Sequence, residues 1–186
     1  MAKSKLTSYS VNIQVPGVAA IQGTWEPSDE ERRAAWEMYV ELVTRVPVAE
    51  LRADEGLLRE ALSSLYTLFA TTREILRRYG PDIAQPQGDN QISFGYIAVA
   101  VLNAALRPLL ARWHPLLLEY EETREDSVSR LDHERRWDRA EELRVALVDA
   151  RRVLRAYAGQ LEQVVGVPSL MIEAVRDESE EGEGKR

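Results

Sequence analysis

Apolar residues recur at Ala140, Leu143, Leu147, Ala150, Leu154, Tyr157, Leu161 and Val164, in steps of three and four without a break. That spacing is the seam of an α-helix burying one continuous stripe, and neither a strand nor an irregular loop has a physical reason to keep it. The helix is expected from about Leu131 to Gly166, with Pro168 beyond its stop. At about 1.5 Å per residue, some 35 residues make a rod of ~50 Å, so the rest of the chain must supply partners for a long apolar face.

Three upstream segments carry a helical pattern. Ser28 followed by Glu31 is a capping box, in which the serine oxygen takes an orphan N–H and the glutamate reaches back. A helix is expected from there, with Trp36, Tyr39, Val40 and Val43 on its apolar face and an end before Pro47. From Asp54 to Tyr79 the positions Leu58, Leu62, Leu65, Phe69, Thr72, Leu76 and Tyr79 follow a heptad, widened by Leu57, Ala61, Leu68 and Ile75, and Gly80–Pro81 is a stop. The loop from Gly80 to Gln91 is rich in turn formers, has little to bury and is expected to be mobile. A third helix beginning near Ser93 or Phe94 is apolar on nearly all sides to Leu106 and fades into an acidic connection near residue 129.

Four amphipathic helices predict an all-α fold, an antiparallel four-helix bundle with long heptad-patterned helices. Residues 25–176 are expected to form that single domain. The opening SYSVNIQV alternates Val11, Ile13 and Val15 with Ser10, Asn12 and Gln14, the period of a half-buried strand. With no second strand read nearby, residues 1–24 are expected as an extended arm lying over the helices, possibly one short strand, and the acidic tail 177–186 as disordered. A fourth helix longer than the second leaves an overhang, which predicts a homodimer with Leu147, Leu154, Tyr157 and Leu161 at its interface.

Composition narrows function mainly by exclusion. The 186 residues contain no cysteine, which removes disulfides, thiolate metal sites and a cysteine nucleophile. The formal net charge is −7, and Asp177, Glu178, Glu180, Glu181 and Glu183 against Lys185 and Arg186 place −3 of it in the tail. The mildly acidic body argues against a general nucleic-acid binder. Residues 92–106 are too short an apolar run to span a bilayer and are closed by Arg107 and Pro108, and no signal peptide is visible, so a soluble, cytoplasmic protein is expected.

The stretch LRPLLARWHPLLLEYEE, residues 106–122, is the most unusual in the chain. Pro108 and Pro115 each remove a helical hydrogen bond, freeing carbonyls near residues 104 and 111, and lie on nearly one face, so their bends should add. Asn103, Arg107, Arg112 and His114 surround the bends. They can satisfy those carbonyls, a structural duty, or meet Thr71, Thr72, Arg73 and Glu74 in a small anion-binding pocket. The structural duty is the simpler account.

Other constellations are weaker. Neither His114 nor His133 has a Glu three residues before it, as a di-iron bundle requires. Glu119 with Glu122, and Asp138 with Glu141, have the spacing of Mg²⁺ ligands in helical pyrophosphohydrolases, but fall where solvated residues belong. No phosphate loop or nucleophile elbow occurs, and no cofactor or metal site is expected. Arg144, Arg151, Arg152 and Arg155 make a basic stretch interleaved with acids at helical contact spacing. The reading that remains is a non-catalytic interaction or regulatory module that self-associates and binds another protein. The alternative is a small-ligand-binding or Mg-dependent hydrolytic bundle with a pocket near the proline bends.

Overall fold

The alternation at Val11, Ile13 and Val15 does form a strand, but the strand has a partner. In a computed structural model that describes residues 8–17, 20–45, 56–89 and 91–171, β1 (Tyr9–Ile13) pairs antiparallel with β2 (Ile21–Trp25), Tyr9 opposite Trp25 and Ile13 opposite Ile21. Val11, Ile13, Val15, Ile21 and Trp25 are buried, each aliphatic side chain contributing roughly 1.5–3 kcal/mol of transfer free energy. Gly23 is required by proximity: a Cβ there would lie 2.8 Å from Ile92 Cγ2, whose backbone N–H donates to Thr24 O at 2.8 Å.

Helices α1 (Asp29–Val43) and α2 (Leu58–Tyr79) follow. The capping box at Ser28 and Glu31 is present in both halves. Along α2 the buried residues Leu58, Ala61, Leu65, Leu68, Thr72 and Ile75 step by three and four, with Leu62 beside them, while Phe69, Leu76 and Tyr79 flank this stripe partly buried. The expected mobile loop has something to bury after all. Pro81–Ala84 is a 3₁₀ turn with Ile83 fully buried, held under Gly95, whose absent Cβ leaves room for Ala84.

Ser93 caps α3 (Phe94–Val101). Pro108 has no N–H for the preceding turn, and the helix answers by widening into a π segment, Leu102–Leu106, in which the Arg107 N–H reaches back to Leu102 O. The rod then continues as α4 (Arg107–Glu121) straight through Pro115. The run Phe94–Glu121 is therefore 28 residues, long and apolar enough by length and composition to cross a bilayer, with half of its most apolar window buried inside the fold as in a core helix.

The expected long last helix is divided. A short α5 (Arg130–Arg135), capped by Ser129, turns at buried Trp137 before α6 (Ala140–Val165). With 26 residues in α6 and 22 in α2, the rods measure ~39 and ~33 Å at about 1.5 Å per residue, and the overhang nearly vanishes. Helix α6 ends at Gly166 in the left-handed region (φ 73°), and Leu170 N–H then donates to Tyr39 OH at 2.7 Å. The expected disordered tail, 177–186, lies outside the described residues.

These observations replace the expected all-α four-helix bundle. The chain is 67% helical with a two-stranded antiparallel sheet. The hairpin covers α6 beside α1, α1 bridges α6 and α2, and α2 packs on α4. The four-helix expectation failed because it treated residues 1–24, which hold most of β2, as an arm and Leu131–Gly166 as one rod.

Two buried glutamates fasten helices far apart in sequence. Glu31 Oε1 accepts from Trp25 Nε1 at 3.0 Å and from the Phe94 N–H at 2.8 Å, tying the hairpin and the start of α3 to α1. Glu134 on α5 accepts from the Leu58 N–H at 2.8 Å and the Arg59 N–H at 3.4 Å, so it caps α2, whose N-cap Leu57 has no side-chain bond to offer. Burial pushes both carboxyls above their ordinary range, against the opposing pull of the backbone N–H groups.

Glu134→Ala leaves two donors at a buried helix start without an acceptor, and should lower stability by about 2–3 kcal/mol in urea unfolding. The folded chain holds the Glu134 proton more tightly than the unfolded chain. Its stabilisation is therefore complete below the unfolded pKa and is lost as pH rises through the folded one. Acidification from about pH 7 to about pH 5 should thus stabilise the wild type relative to Glu134→Gln, which cannot titrate. A pH-independent difference between the two would contradict the burial account.

Candidate functional site

The first turn of α2, the C-terminal half of α4 and α5 enclose a cleft of about 330 Å³. Leu57 and Leu117 give it apolar walls, while Arg59, Glu60, Glu121, Arg124, Arg130 and His133 give it charge. Arg59 is its organising side chain. Its Nε lies 3.0 Å from both Glu121 oxygens and its Nη2 2.7 Å from Oε2, a fork-on-fork pair. Its Nη1 donates to His114 Nδ1 at 2.9 Å.

That last bond fixes the imidazole. A guanidinium has only donors, so His114 Nδ1 accepts and the ring proton resides on Nε2. Burial and then the Arg59 charge hold the His114 pKa below its ordinary value, with Glu121 opposing. His114 Nε2 is buried without a hydrogen-bond partner. In this tautomer the one lone pair of the His114 ring is engaged by Arg59, and its other nitrogen carries a proton.

On the far wall, Tyr120 stacks on His133 at 4.2 Å and 11°, and on Trp137 at 5.5 Å and 21°. The Tyr120 OH donates to His133 O at 2.7 Å, and His133 Nε2 lies 2.9 Å from Tyr120 O. Trp137 meets Trp113 edge-on at 6.0 Å. The cleft's aromatic wall is therefore braced from behind by core.

The residues singled out in sequence are not gathered into one pocket. Arg107 donates to Asn103 Oδ1 at 2.9 Å and lies over the Phe69 ring at 5.3 Å. Arg112 pairs with Glu142 and lies 4.8 Å over Trp113. His114 belongs to Arg59. Arg73 and Glu74 are exposed on α2, Glu74 paired with Arg78 at 2.8 Å. Thr72 is buried, and Thr71 accepts from Arg45. The three α4 side chains engage other side chains in these bonds rather than the carbonyls freed by the prolines. Glu119, Glu122, Asp138 and Glu141 are exposed, and among the described residues no group of three or more His, Asp or Glu is placed to hold a metal. Leu154, Tyr157 and Leu161 are buried in the chain's own core and Leu147 packs against it, so that seam is closed within one copy. Burial raises the Tyr157 pKa.

What spacing did gather is a surface stripe. Arg107 covers Phe69, Phe69 lies 6.3 Å from Tyr66, and Tyr66 meets His114 edge-on at 5.7 Å. Leu118, one turn beyond His114, is 53% exposed and Tyr66 62%. The stripe crosses from α2 to α4 and ends at Arg59, where the cleft begins. Arg59, Glu121 and Tyr120 escaped sequence reasoning because their partners lie on other elements. Their signal was only that arginine and tyrosine interrupt apolar helices.

No protein-family model matches this chain, and no curated protein and no solved structure matches it.

Replacing Arg59 by Gln should raise the His114 pKa toward its ordinary value without reaching it, because burial remains the larger cause. Titration of the imidazole resonances by NMR measures this; an unmoved pKa would mean that the guanidinium contact does not persist in solution.

Proposed function

We propose that this protein is a non-catalytic helical interaction module that self-associates and acts on another protein through the exposed faces of its helices. The supporting observation is the Arg107–Phe69–Tyr66–His114–Leu118 stripe. Arginine and tyrosine are enriched where protein interfaces carry their binding energy, since each combines a large contact area with a polar handle. An isolated exposed leucine means little, but a continuous aromatic run that bridges two helices is a preformed contact surface. Its members are held by each other and by Arg59, so little side-chain freedom remains to be lost on binding.

The self-association now rests on this stripe, in place of the α6 seam and the overhang. A second reading, small-ligand binding, moves from the proline bends to the cleft beside Arg59, because the cleft is where charged and aromatic side chains converge. Hydrolysis gains no support from an Arg59 paired with Glu121 and a neutral His114 bonded to it.

Light scattering across a concentration series tests the first reading. The wild type should show a reversible dimer, and Tyr66→Lys with Leu118→Lys should abolish it while leaving the melting temperature nearly unchanged, since both side chains face water. A wild type that stays monomeric at every concentration overturns self-association through this face.

A further inference from the structure

The cleft's charged side chains are not all paired with one another. Arg59 is matched by Glu121 through both of its oxygens, and Glu134 is engaged by two backbone N–H groups. Arg124 is different: its Nη1 donates to backbone carbonyls, Val128 O at 2.6 Å and Glu125 O at 3.4 Å. Those bonds fix its position without neutralising it, and no ion pair with it occurs among the described residues. Arg130 lines the cleft exposed, and it has no hydrogen bond or ion pair there among the described residues. Against these two cations stands one carboxylate without a partner among the described residues, Glu60. With Glu134 ionised, the lining's three arginines (Arg59, Arg124, Arg130) and three carboxylates (Glu60, Glu121, Glu134) balance to zero; Arg124 and Arg130 are nonetheless the two cations with no carboxylate partner among the described residues, so an anion is best met at their end of the cleft.

The rest of the cleft selects the body that carries the charge. Tyr120 and His133 are a stacked pair locked by two reciprocal hydrogen bonds and backed by Trp137, a rigid ring platform needing no ordering on binding. Leu57 and Leu117 supply apolar contact opposite it. A volume of about 330 Å³ is at the small end of sites for small molecules, which are mostly apolar with a few placed polar groups.

We propose that the cleft between α2, α4 and α5 is a binding site for a small aromatic monocarboxylate, its ring held by the Tyr120–His133 pair and the two leucines and its carboxylate taken by Arg124 and Arg130. Planar guanidinium groups suit a planar carboxylate, and neither of these two is paired with a carboxylate of the chain among the described residues. The site is independent of whether the stripe binds protein: it uses none of Phe69, Tyr66 or Leu118.

The test is calorimetric and NMR titration of the full chain with 2-naphthoate. Saturable one-to-one binding is expected, with shifts in the His133 ring and Trp137 indole resonances. Arg130→Gln, a change at an exposed side chain that spares the fold, should weaken it about tenfold, or about 1.4 kcal/mol. Arg73→Gln, an equal loss of charge elsewhere on the surface, should leave it unchanged. The proposal is overturned by absence of saturable binding, by equal weakening in both variants, or by unweakened binding in Arg130→Gln. Equal affinity for 2-naphthalenemethanol, or tighter binding of phenyl phosphate than of benzoate, would overturn the assignment of a carboxylate to this site.

Discussion

Helix starts present N–H groups that need acceptors, and this chain meets that need at two starts with buried carboxylates borrowed from elsewhere in the sequence. Glu31 serves its own helix and the start of α3, and also anchors the hairpin through Trp25. Glu134 serves α2 from the other side of the α4–α5 turn. A buried carboxylate is costly on its own, and its raised pKa measures that cost; several N–H donors per carboxylate offset it. Once the two are placed, the entry points of α2 and α3 are fixed relative to α1 and α5. The α1–α2 and α2–α4 contacts follow from there.

Glu134 also explains why the last helix is interrupted. If residues 131–166 formed one rod, Glu134 would ride on its surface and the start of α2 would lack an acceptor. Ser129 as a cap and Trp137 turned into the core hold α5 where its glutamate can reach. The apolar steps from Ala140 onward were legible because periodicity is local. The break before them was not, because its cause lies some eighty residues upstream in sequence. The same limit hid β2: IQGTW shows little alternation of its own, and only the pairing to Val11 and Ile13, with Ile92 pressed on Gly23, makes it a strand. Capping boxes, glycine stops and the Ser93 start were legible for the opposite reason, since cap and helix are neighbours in sequence.

The proline-flanked stretch shows how residues close in sequence can be given separate partners by the fold. Pro108 does disturb the helix, but a π segment absorbs the missing bond, and the rod runs on through Pro115. No single concavity collects Asn103, Arg107, Arg112 and His114. Their 3.6-residue spacing distributes them around the rod instead, Arg107 and His114 toward α2 and Arg112 toward α6. Two of the four nonetheless end in the surface stripe, because residues seven apart return to nearly the same face.

Arg59 is where the two candidate surfaces meet. Its guanidinium holds His114 in the stripe by one edge and Glu121 in the cleft by the other, so the positions of both depend on one side chain with no donor left for a ligand on those edges. That arrangement divides labour by distance from Arg59. The stripe leaves rings and a leucine at the surface, while the cleft is lined by Arg124 and Arg130, the cations that the local carboxylates leave unpaired. Arg59 and Glu121 are thus committed to each other and to His114, and what an approaching molecule meets first are the side chains on either side of that pair.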